Sequence, residues 1–413
     1  MTEGSDPAVR RVLIVHNWHR ASVISGENRT VEVDISLLRD AGVEVETYSR
    51  SNDEIADFGL AQRAGLAVRP IVSPSDARAL RRHIGRFKPD IVHIHNVTPL
   101  LSPWVVRTAR AAGVPVVQTV QNYLHECVAG TYFRDGHACH DCRGRAVPWP
   151  AVLHGCNLTA QVSGPVAGRI AASVLGVSLM THRSTWRLVD RFLAVGAAIA
   201  HHLETAGIDP SRISVRGNPV DDPGPTSPPG TGALFVGRIA ESKGARLLID
   251  AWKRSGLGSS HTLRLAGGGP EAAAIERDAR DVAGIELLGV VDHERALALM
   301  KEAAFVVAPA LWEEPFGLTV VEAMARGRPV LVTPFGEPAA IVGGGAGWVV
   351  EPTADALAAG LRTAFETPLE SIGAAARRRY EDGYSPPVAL RKLLTIYSEI
   401  RGVSGTAERS EAP

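Results

Sequence analysis

The sequence predicts an α/β protein with two Rossmann-like domains, each built on a doubly wound parallel sheet. Short apolar runs alternate with helix-like segments along the chain, and this alternation is typical of βαβ units. The alternation occurs in two series, and a proline-rich segment separates them. Because ligands of open α/β sheets bind at the carboxyl ends of the strands, we expect the chemistry in a cleft where the two domains face each other.

The first series defines an N-terminal domain at residues 1–217. Its helix-like segments include 29–40 and 75–87. A polar insertion at about 122–160 interrupts the series and holds all four cysteines. The predicted buried strands of this domain are 11–15, 43–48, 91–95, 115–120 and 191–195.

Residues 218–232 read NPVDDPGPTSPPGTG, and proline at this density denies both helix and strand, which predicts a linker. The second series defines a C-terminal domain at 233–378. We expect a helix at 379–401 to pack back on the N-terminal domain, and the polar residues 402–413 to form a disordered tail. The predicted strands of the second domain are 233–237, 262–266, 285–289, 305–308, 329–333 and 348–350, and its predicted helices include 354–365 and 371–380.

Charge and hydropathy exclude some classes of protein. Lys plus Arg equals Asp plus Glu, 44 each, so no global charge attracts the chain to nucleic acid. The first ten residues lack the apolar core of a signal peptide, and we expect a cytoplasmic protein. The weakly apolar segment 160–180 is too interrupted by glycine, proline and arginine to span a membrane. We expect it to form a long, mostly buried helix, with peripheral membrane contact as the alternative.

A loop with two cations follows the first predicted strand of the second domain, in the sequence VGRIAESKG at 236–244. Arg238 and Lys243 can neutralise a nucleotide diphosphate there, while Gly237 lets the backbone come close. When a nucleoside diphosphate is the leaving group, such cations also stabilise its growing charge and can replace a metal. The alternative is a solvated turn with two unrelated cations.

Two further motifs follow strand ends. The turn AGGGP at 266–270, centred on Gly268, exposes backbone amides before a helix and suits a phosphate or a nucleobase, although a plain tight turn has the same composition. The segment EEPFGLTVVEAMA at 313–325 places Glu314 in a loop and Glu322 on a helix. Each carboxylate has two acceptor oxygens, so one suits sugar hydroxyls and the other ribose hydroxyls. The alternative for Glu322 is a partly exposed helix charge.

Together these motifs resemble the donor-binding domain of glycosyltransferase family four, a large group of retaining enzymes with the GT-B fold. The resemblance rests on the order and spacing of the GR…KG loop, the glycine turn and the run EPFGLTVVEAMARGRPV, over about 233–350. The N-terminus is similar too, since a strand at 12–15 precedes SGEN at 25–28, like the family's glycine-containing first loop.

The resemblance implies a retaining hexosyltransferase that needs no cofactor for catalysis. Its donor would be an NDP-sugar such as GDP-mannose, UDP-glucose or UDP-N-acetylglucosamine, and its acceptor a glycan, a lipid-linked saccharide or a small molecule. Arg238 and Lys243 would bind the diphosphate, Glu322 the ribose and Glu314 the transferred sugar. The backbone near the donor sugar and phosphates would come from Phe316, Gly317 and Leu318, and Gly26 would let the first loop approach the donor.

The acceptor half departs from the family pattern. Family members often carry a histidine in a Thr-x-His motif after the fourth strand, where this chain ends the motif with Gln121. Glutamine can hydrogen-bond a sugar hydroxyl but cannot act as a base. Front-face retention needs no enzymatic base if the leaving phosphate accepts the proton. His125 is a substitute candidate, or an ordinary loop histidine, and His95 at a strand end is a further acceptor-side candidate that shares one strand face with His93.

The cysteines Cys127, Cys139, Cys142 and Cys156 lie in one region and include a C-x-x-C pair. Four thiolates could hold a structural zinc ion that folds the insertion; an iron–sulfur cluster and no metal are the alternatives. Disulfides are disfavoured in a cytoplasmic protein. Similar cysteine-bearing insertions occur in a subset of the resembled family.

Two other functions fit the same fold. A non-catalytic nucleotide-sugar binder is one, because the family histidine is missing. A different GT-B enzyme, such as a sugar-nucleotide epimerase or a phosphorylase, is the other, although the sequence has no lysine motif that indicates a pyridoxal site.

Overall fold

A computed structural model describes residues 9–21, 25–59, 62, 65, 66, 68–156 and 164–410. The chain forms two compact units. The first unit comprises Met1–Thr131, His140–Gly217 and Ala389–Pro413, and the second comprises Tyr132–Cys139 and Asn218–Val388. The change from one unit to the other after Gly217 falls where the proline-rich segment begins.

The strands occur in both units. In chain order they are β1 (Arg11–Trp18), β2 (Glu44–Ser51), β3 (Ile91–Ile94), β4 (Val116–Val120), β5 (Phe133–Arg134), β6 (His137–Ala138), β7 (Arg191–Ala194), β8 (Ile213–Val215), β9 (Ala233–Val236), β10 (Leu263–Ala266), β11 (Ile285–Gly289), β12 (Phe305–Ala308), β13 (Val330–Val332) and β14 (Gly347–Val349).

The described helices connect these strands. They are Gly26–Asp40, Pro74–Phe87, Trp104–Ala111, Trp149–His154, Pro165–Trp186, Ala197–Thr205, Ala245–Ser255, Ala272–Ala279, His293–Glu302, Leu318–Ala325, Glu337–Ile341, Ala354–Glu366, Leu369–Gly383 and Pro386–Ser410. Several begin at a side-chain cap: the Ser25 hydroxyl accepts from the Asn28 amide, and Asp292 and Thr353 cap later helices in the same way.

Each unit contains one six-stranded parallel sheet. The orders are β2-β1-β3-β4-β7-β8 in the first unit and β11-β10-β9-β12-β13-β14 in the second. Strands β3 and β4 are buried along their whole length, as expected for parallel strands covered by helices on both faces. The predicted α/β architecture with two Rossmann-like domains is confirmed. The sequence analysis missed β8, because a three-residue edge strand is too short to show a period.

The insertion contains a hairpin that the sequence analysis also missed. Strands β5 and β6 pair antiparallel, and the turn between them has positive φ at Asp135 (51°) and Gly136 (79°). Two such residues define the type I′ turn that the Asp-Gly sequence favours. The hairpin belongs to the second unit, where a Cβ atom on Gly136 would lie 2.8 Å from Oε1 of Glu241.

The C-terminal helices differ from the single helix predicted at 379–401. One helix ends at Gly383 and the next starts at Pro386, because consecutive prolines cannot continue a preceding helix. From Ala389 onward the second helix belongs to the first unit, where Leu393 and Tyr397 pack in its core. The helix continues to Ser410, further than the predicted end at residue 401.

The helix Pro165–Trp186 covers the weakly apolar segment, of which residues 160–163 lie outside the described part. Among the described residues, no helix is both long enough and apolar enough to cross a membrane. The expectation of a mostly buried helix was wrong, since Val166 is 70% exposed and Ile170 is 60% exposed. Only one side of this helix packs against the rest of the first unit, at residues such as Ala172 and Gly176.

Candidate active site

The residues predicted to bind a donor, apart from Gly26, all lie in the second unit, and the acceptor-side candidates lie in the first. In the second unit, β9 leads into the loop that carries Arg238 and Lys243. The loop closes at Gly244, whose φ is 73°. A Cβ atom there would lie 1.9 Å from the carbonyl oxygen of Pro309, so only glycine lets the loop pass the segment after β12.

Lys243 lies directly beside the acidic loop. Its Nζ is 2.5 Å from Oε1 of Glu314 and 5.4 Å from the centre of the Trp312 ring. A backbone hydrogen bond of 2.8 Å from Leu311 to Ser242 joins the two loops. The predicted diphosphate cation and the predicted sugar carboxylate are therefore neighbours, at the carboxyl ends of adjacent strands β9 and β12.

Arg238 is exposed on the same loop. Glu322 lies on the helix Leu318–Ala325, and its Oε1 is 3.8 Å from Nε2 of His293. The sequence analysis missed both His293 and Trp312. The position of Trp312 just before the Glu313-Glu314 pair was the only signal for it.

The glycine-rich turn packs against the cationic loop. Cβ atoms on Gly267 and Gly269 would lie 1.8 Å and 2.3 Å from the carbonyl oxygens of Gly237 and Ile239. The Ile239 amide donates to the carbonyl of Gly268 at 2.8 Å. This close approach of two backbones explains the glycines without a ligand, and it fixes the position of the loop that carries Arg238.

The segment after Glu314 starts a helix. The Phe316 ring is buried and lies 5.7 Å from the Tyr384 ring, so this side chain anchors the segment. Gly317 precedes the helix with φ of 93°, and Leu318 is its first residue.

A pocket in the first unit collects the three acceptor-side candidates. His95, Gln121 and His125 line it together with other residues of the unit, including Glu27, Thr98, Gln118, Ser178 and Trp186. The pocket lies where β3 and β4 end. Sequence reasoning therefore identified residues that share one pocket, although no sequence signal placed Gln118 or Trp186 beside them.

His95 is buried, with 4% of its surface exposed. Neither ring nitrogen has a hydrogen-bond partner among the residues that the structure describes. Burial, and then the charge of Arg216, lower the pKa of His95 to about 3. His95 is therefore neutral at pH 7, when it can exchange hydrogen bonds with a hydroxyl but is too weak a base to take its proton.

His93 has a different role from its neighbour. Its Nε2 lies 2.7 Å from the Thr119 hydroxyl and its Nδ1 lies 2.6 Å from the Tyr397 hydroxyl. Burial, with the charges of His95 and Arg216, lowers the pKa of His93. The centres of the His93 and His95 rings lie 4.3 Å apart, so the ring of His93 packs against that of His95. Thr119 and Tyr397 were not expected in this role.

His125 also lines the pocket with both ring nitrogens unpartnered in the described part of the chain. Burial lowers the pKa of His125 to about 4, and its ring lies 4.8 Å from that of Trp186. Gln121 lines the same pocket at the position of the family histidine.

The first loop contributes Glu27 to the pocket. Gly26 is the exposed first residue of the helix Gly26–Asp40. The Glu27 carboxylate lies 2.7 Å from the ring of His19, and this hydrogen bond raises the pKa of His19.

The four cysteines are each partly buried. Cys139 follows the hairpin in the second unit, and the other three belong to the first unit. Cys142 and Cys156 pack against one apolar cluster that includes Val128 and Ala151. Within the described residues, no three His, Cys, Asp or Glu side chains form a group that could hold a metal ion. The structural zinc stays a prediction.

Comparison with known proteins agrees with this architecture. The model of the glycosyl transferases group 1 family matches residues 230–367, and the model of the glycosyl transferase 4-like domain matches residues 25–219. The two matches follow each other along the chain and cover every strand of the two six-stranded sheets except β1. The chain belongs to this family of glycosyltransferases, and its fold is GT-B.

Individual relatives are distant. The glycogen synthase of Mycobacterium tuberculosis is 28% identical over 71% of this chain, and the match spans only 63% of that enzyme's length. A phosphatidyl-myo-inositol mannosyltransferase of Mycobacterium leprae is 27% identical over 81% of this chain and 80% of its own. The crystal structure of Anabaena HepE with UDP-glucose superposes with a TM-score of 0.63 at 16% identity, over 94% of this chain and 99% of that one.

Proposed function

We propose that this protein is a retaining glycosyltransferase that transfers a hexosyl unit from an NDP-sugar to a saccharide, lipid-linked or small-molecule acceptor. The observation that carries the proposal is the contact between Lys243 and Glu314, beside the exposed Arg238, in a unit that matches the family model. Relatives support it, since one structure of the same fold holds UDP-glucose and another relative is a mannosyltransferase.

The donor diphosphate binds the cationic loop. Its phosphates approach Arg238 and Lys243, and Lys243 exchanges part of its contact with Glu314 for the phosphate oxygens. The Glu314 carboxylate then accepts hydrogen bonds from the hydroxyls of the transferred sugar. Glu322 accepts from the ribose hydroxyls.

The reaction breaks the bond between the sugar C1 and the diphosphate oxygen, and the acceptor oxygen bonds to C1 on the same face. Charge grows on the departing diphosphate, where Arg238 and Lys243 stabilise it. The acceptor hydroxyl passes its proton to the leaving phosphate oxygen. This route suits the pocket in the first unit, because His95 and His125 have lowered pKa values and cannot serve as bases near neutral pH.

The acceptor binds in the pocket lined by His95, Gln121 and His125. The ring nitrogens of the two histidines, which have no partner within the described residues, exchange hydrogen bonds with acceptor hydroxyls, and these bonds offset the cost of burying the nitrogens. Gln121 adds a donor and an acceptor in place of the family histidine.

A panel of NDP-sugars tests the proposal. A bound donor raises the melting temperature by mass action, so thermal shift identifies the base and the sugar. The donor that binds is then assayed for transfer and for hydrolysis, with and without EDTA, and we expect turnover that EDTA leaves unchanged. Donor binding without transfer or hydrolysis would indicate a non-catalytic binder, and no shift with any NDP-sugar would reject the donor site.

A further inference from the structure

The helix Pro165–Trp186 has two opposite faces with different surroundings. Residues of one face line the acceptor pocket: Leu175, Ser178, Leu179 and Trp186. Consecutive residues of an α-helix are rotated by about 100° about the helix axis, which places these four residues on one side of the helix. The other side of the helix faces solvent.

The solvent face is an apolar stripe. Val166, Ile170, Val177 and Met180 recur at spacings of four, seven and three residues, so they lie along one line of the helix. Their exposed fractions are 70%, 60%, 41% and 36%. Scattered exposed apolar residues are ordinary, but a continuous stripe marks an interaction surface.

A neighbouring helix extends this apolar surface. On Trp149–His154, Trp149 is 51% exposed and Leu153, one turn later, is 60% exposed. The two helices are in close contact, because a Cβ atom on Gly168 would lie 2.9 Å from the carbonyl oxygen of Gly155.

The charged residues on the helix Pro165–Trp186 itself are all positive. The helix Pro165–Trp186 contains no Asp or Glu. Arg169 and Arg187 are exposed along one flank of the stripe, and Arg183 lies near them. The Arg145 guanidinium lies 5.3 Å from the centre of the Trp149 ring. An apolar helix face with arginine and an exposed tryptophan beside it is the pattern of a helix that lies in a membrane interface.

We propose that the helices Trp149–His154 and Pro165–Trp186 bind the surface of an anionic lipid bilayer, with the apolar stripe inserted and the arginines at the headgroups. Charge complementarity favours this occupant over a second copy of the chain, because a two-fold contact through this face would bring like charges together. The pocket that contains His95 lies on the opposite face of the helix Pro165–Trp186 from the apolar stripe. Because a helix is only about 10 Å across, a bilayer on the stripe lies close to His95. This last step rests on the proposed function, and it identifies the acceptor as one carried on lipid.

Vesicle co-sedimentation of the full chain tests the surface without any donor. The vesicles are phosphatidylcholine alone or phosphatidylcholine mixed with phosphatidylglycerol. The variants are Ile170→Glu with Val177→Glu, and Arg169→Gln with Arg187→Gln. The control is Val349→Glu, which adds a single glutamate at an apolar residue that is 48% exposed in the second unit.

We expect wild type and Val349→Glu to sediment with anionic vesicles and not with neutral ones. The arginine variant should bind about fivefold more weakly for each charge removed at low salt, and the glutamate pair should not bind. No binding by wild type, or equal binding by the glutamate pair, would overturn the proposal. A wild-type dimer that the glutamate pair turns into a monomer would overturn it in favour of a second copy. A thermal shift with the donor shows that each variant is folded. If wild type shows no thermal shift with any donor, that result counts against the proposed function and not against the membrane surface.

Discussion

Lys243 is the predicted diphosphate ligand, and its partner in the structure is Glu314. Both side chains are mostly buried, with 27% of Lys243 and 15% of Glu314 exposed. At this depth the cost of desolvation offsets much of the attraction, so the pair is weak evidence for stability. The same cation can do far more for a diphosphate whose charge grows during the reaction.

Replacing Lys243 by Ala should therefore lower kcat/KM about a hundredfold or more, while the protein stays folded. The loss reflects stabilisation of the departing diphosphate. The matched control is Lys253→Ala, which removes an exposed lysine from the helix Ala245–Ser255 of the same unit. Steady-state kinetics with the identified donor measure both, and similar activity of the two variants would reject the diphosphate assignment.

The buried histidines of the pocket make stability depend on pH. The pKa of His95 is lowered from 6.5 in the unfolded chain to about 3, so the unfolded state binds more protons between these values. The stability is fully present above pH 6.5 and is lost as the pH falls. One group contributes up to about 1.4 kcal/mol for each pH unit in this window.

Substituting His95→Gln should flatten the fall in melting temperature between pH 6.5 and pH 4, because the glutamine does not titrate. The control is His201→Gln, since this histidine side chain is 65% exposed. Thermal melts across the pH range compare the two. A slope that His95→Gln leaves unchanged would show that acid destabilisation arises elsewhere.

At the scale of the elements, the loops at the ends of β9, β10 and β12 hold one another. The glycine turn after β10 packs on the loop after β9, and that loop packs on the segment after β12 through Gly244. The position of Lys243 beside Glu314 thus depends on backbone contacts among three strand ends.

The variant Gly244→Ala should lower the free energy of unfolding by about 2–4 kcal/mol, because its Cβ would meet a backbone carbonyl. Gly256→Ala is the matched control: its φ is 72°, almost the same, but no atom lies within 4 Å of the added Cβ. This control should cost only the backbone strain of about 1–2 kcal/mol. Denaturant unfolding measures both, and equal losses would mean that the contact with Pro309 relaxes freely.

The insertion at about 122–160 carries the predicted metal site. If its four thiolates hold zinc, protein purified without added metal should contain about one zinc per chain, and Cys139→Ser with Cys142→Ser should lose it. The metal would supply the stability that a short polar insertion lacks. Elemental analysis measures this directly. Neither zinc nor iron would reject any metal site, and iron alone would indicate a cluster.

At the scale of the whole molecule, a buried ion pair ties distant parts of the first unit together. Arg216 donates to the Asp34 carboxylate at 2.6 Å and 3.0 Å and to the carbonyl of Ala389 at 3.1 Å. Both side chains are fully buried. The pair thereby joins the helix Gly26–Asp40, the segment after β8 and the C-terminal helix.

The change Arg216→Met should destabilise the protein by about 3–5 kcal/mol, because it leaves the Asp34 carboxylate buried without its cation. The double variant with Asp34→Leu should recover most of this loss, since no unpaired charge remains. Denaturant unfolding compares the single and double variants. A double variant as unstable as the single one would show that the pair does more than satisfy its own charges.

The sequence by itself determined the two α/β units and nearly all of their strands, whereas the donor residues that it indicates stay predictions. These features depend on local patterns: apolar runs of strand length, glycine at turns, and the order and spacing of motifs along the sequence. The tertiary structure alone decided the contacts that cross the chain. It paired Lys243 with Glu314, brought His93 into contact with both His95 and Tyr397, and exposed one face of the helix Pro165–Trp186. Burial and partner choice depend on which distant segments pack together, and no local pattern encodes that.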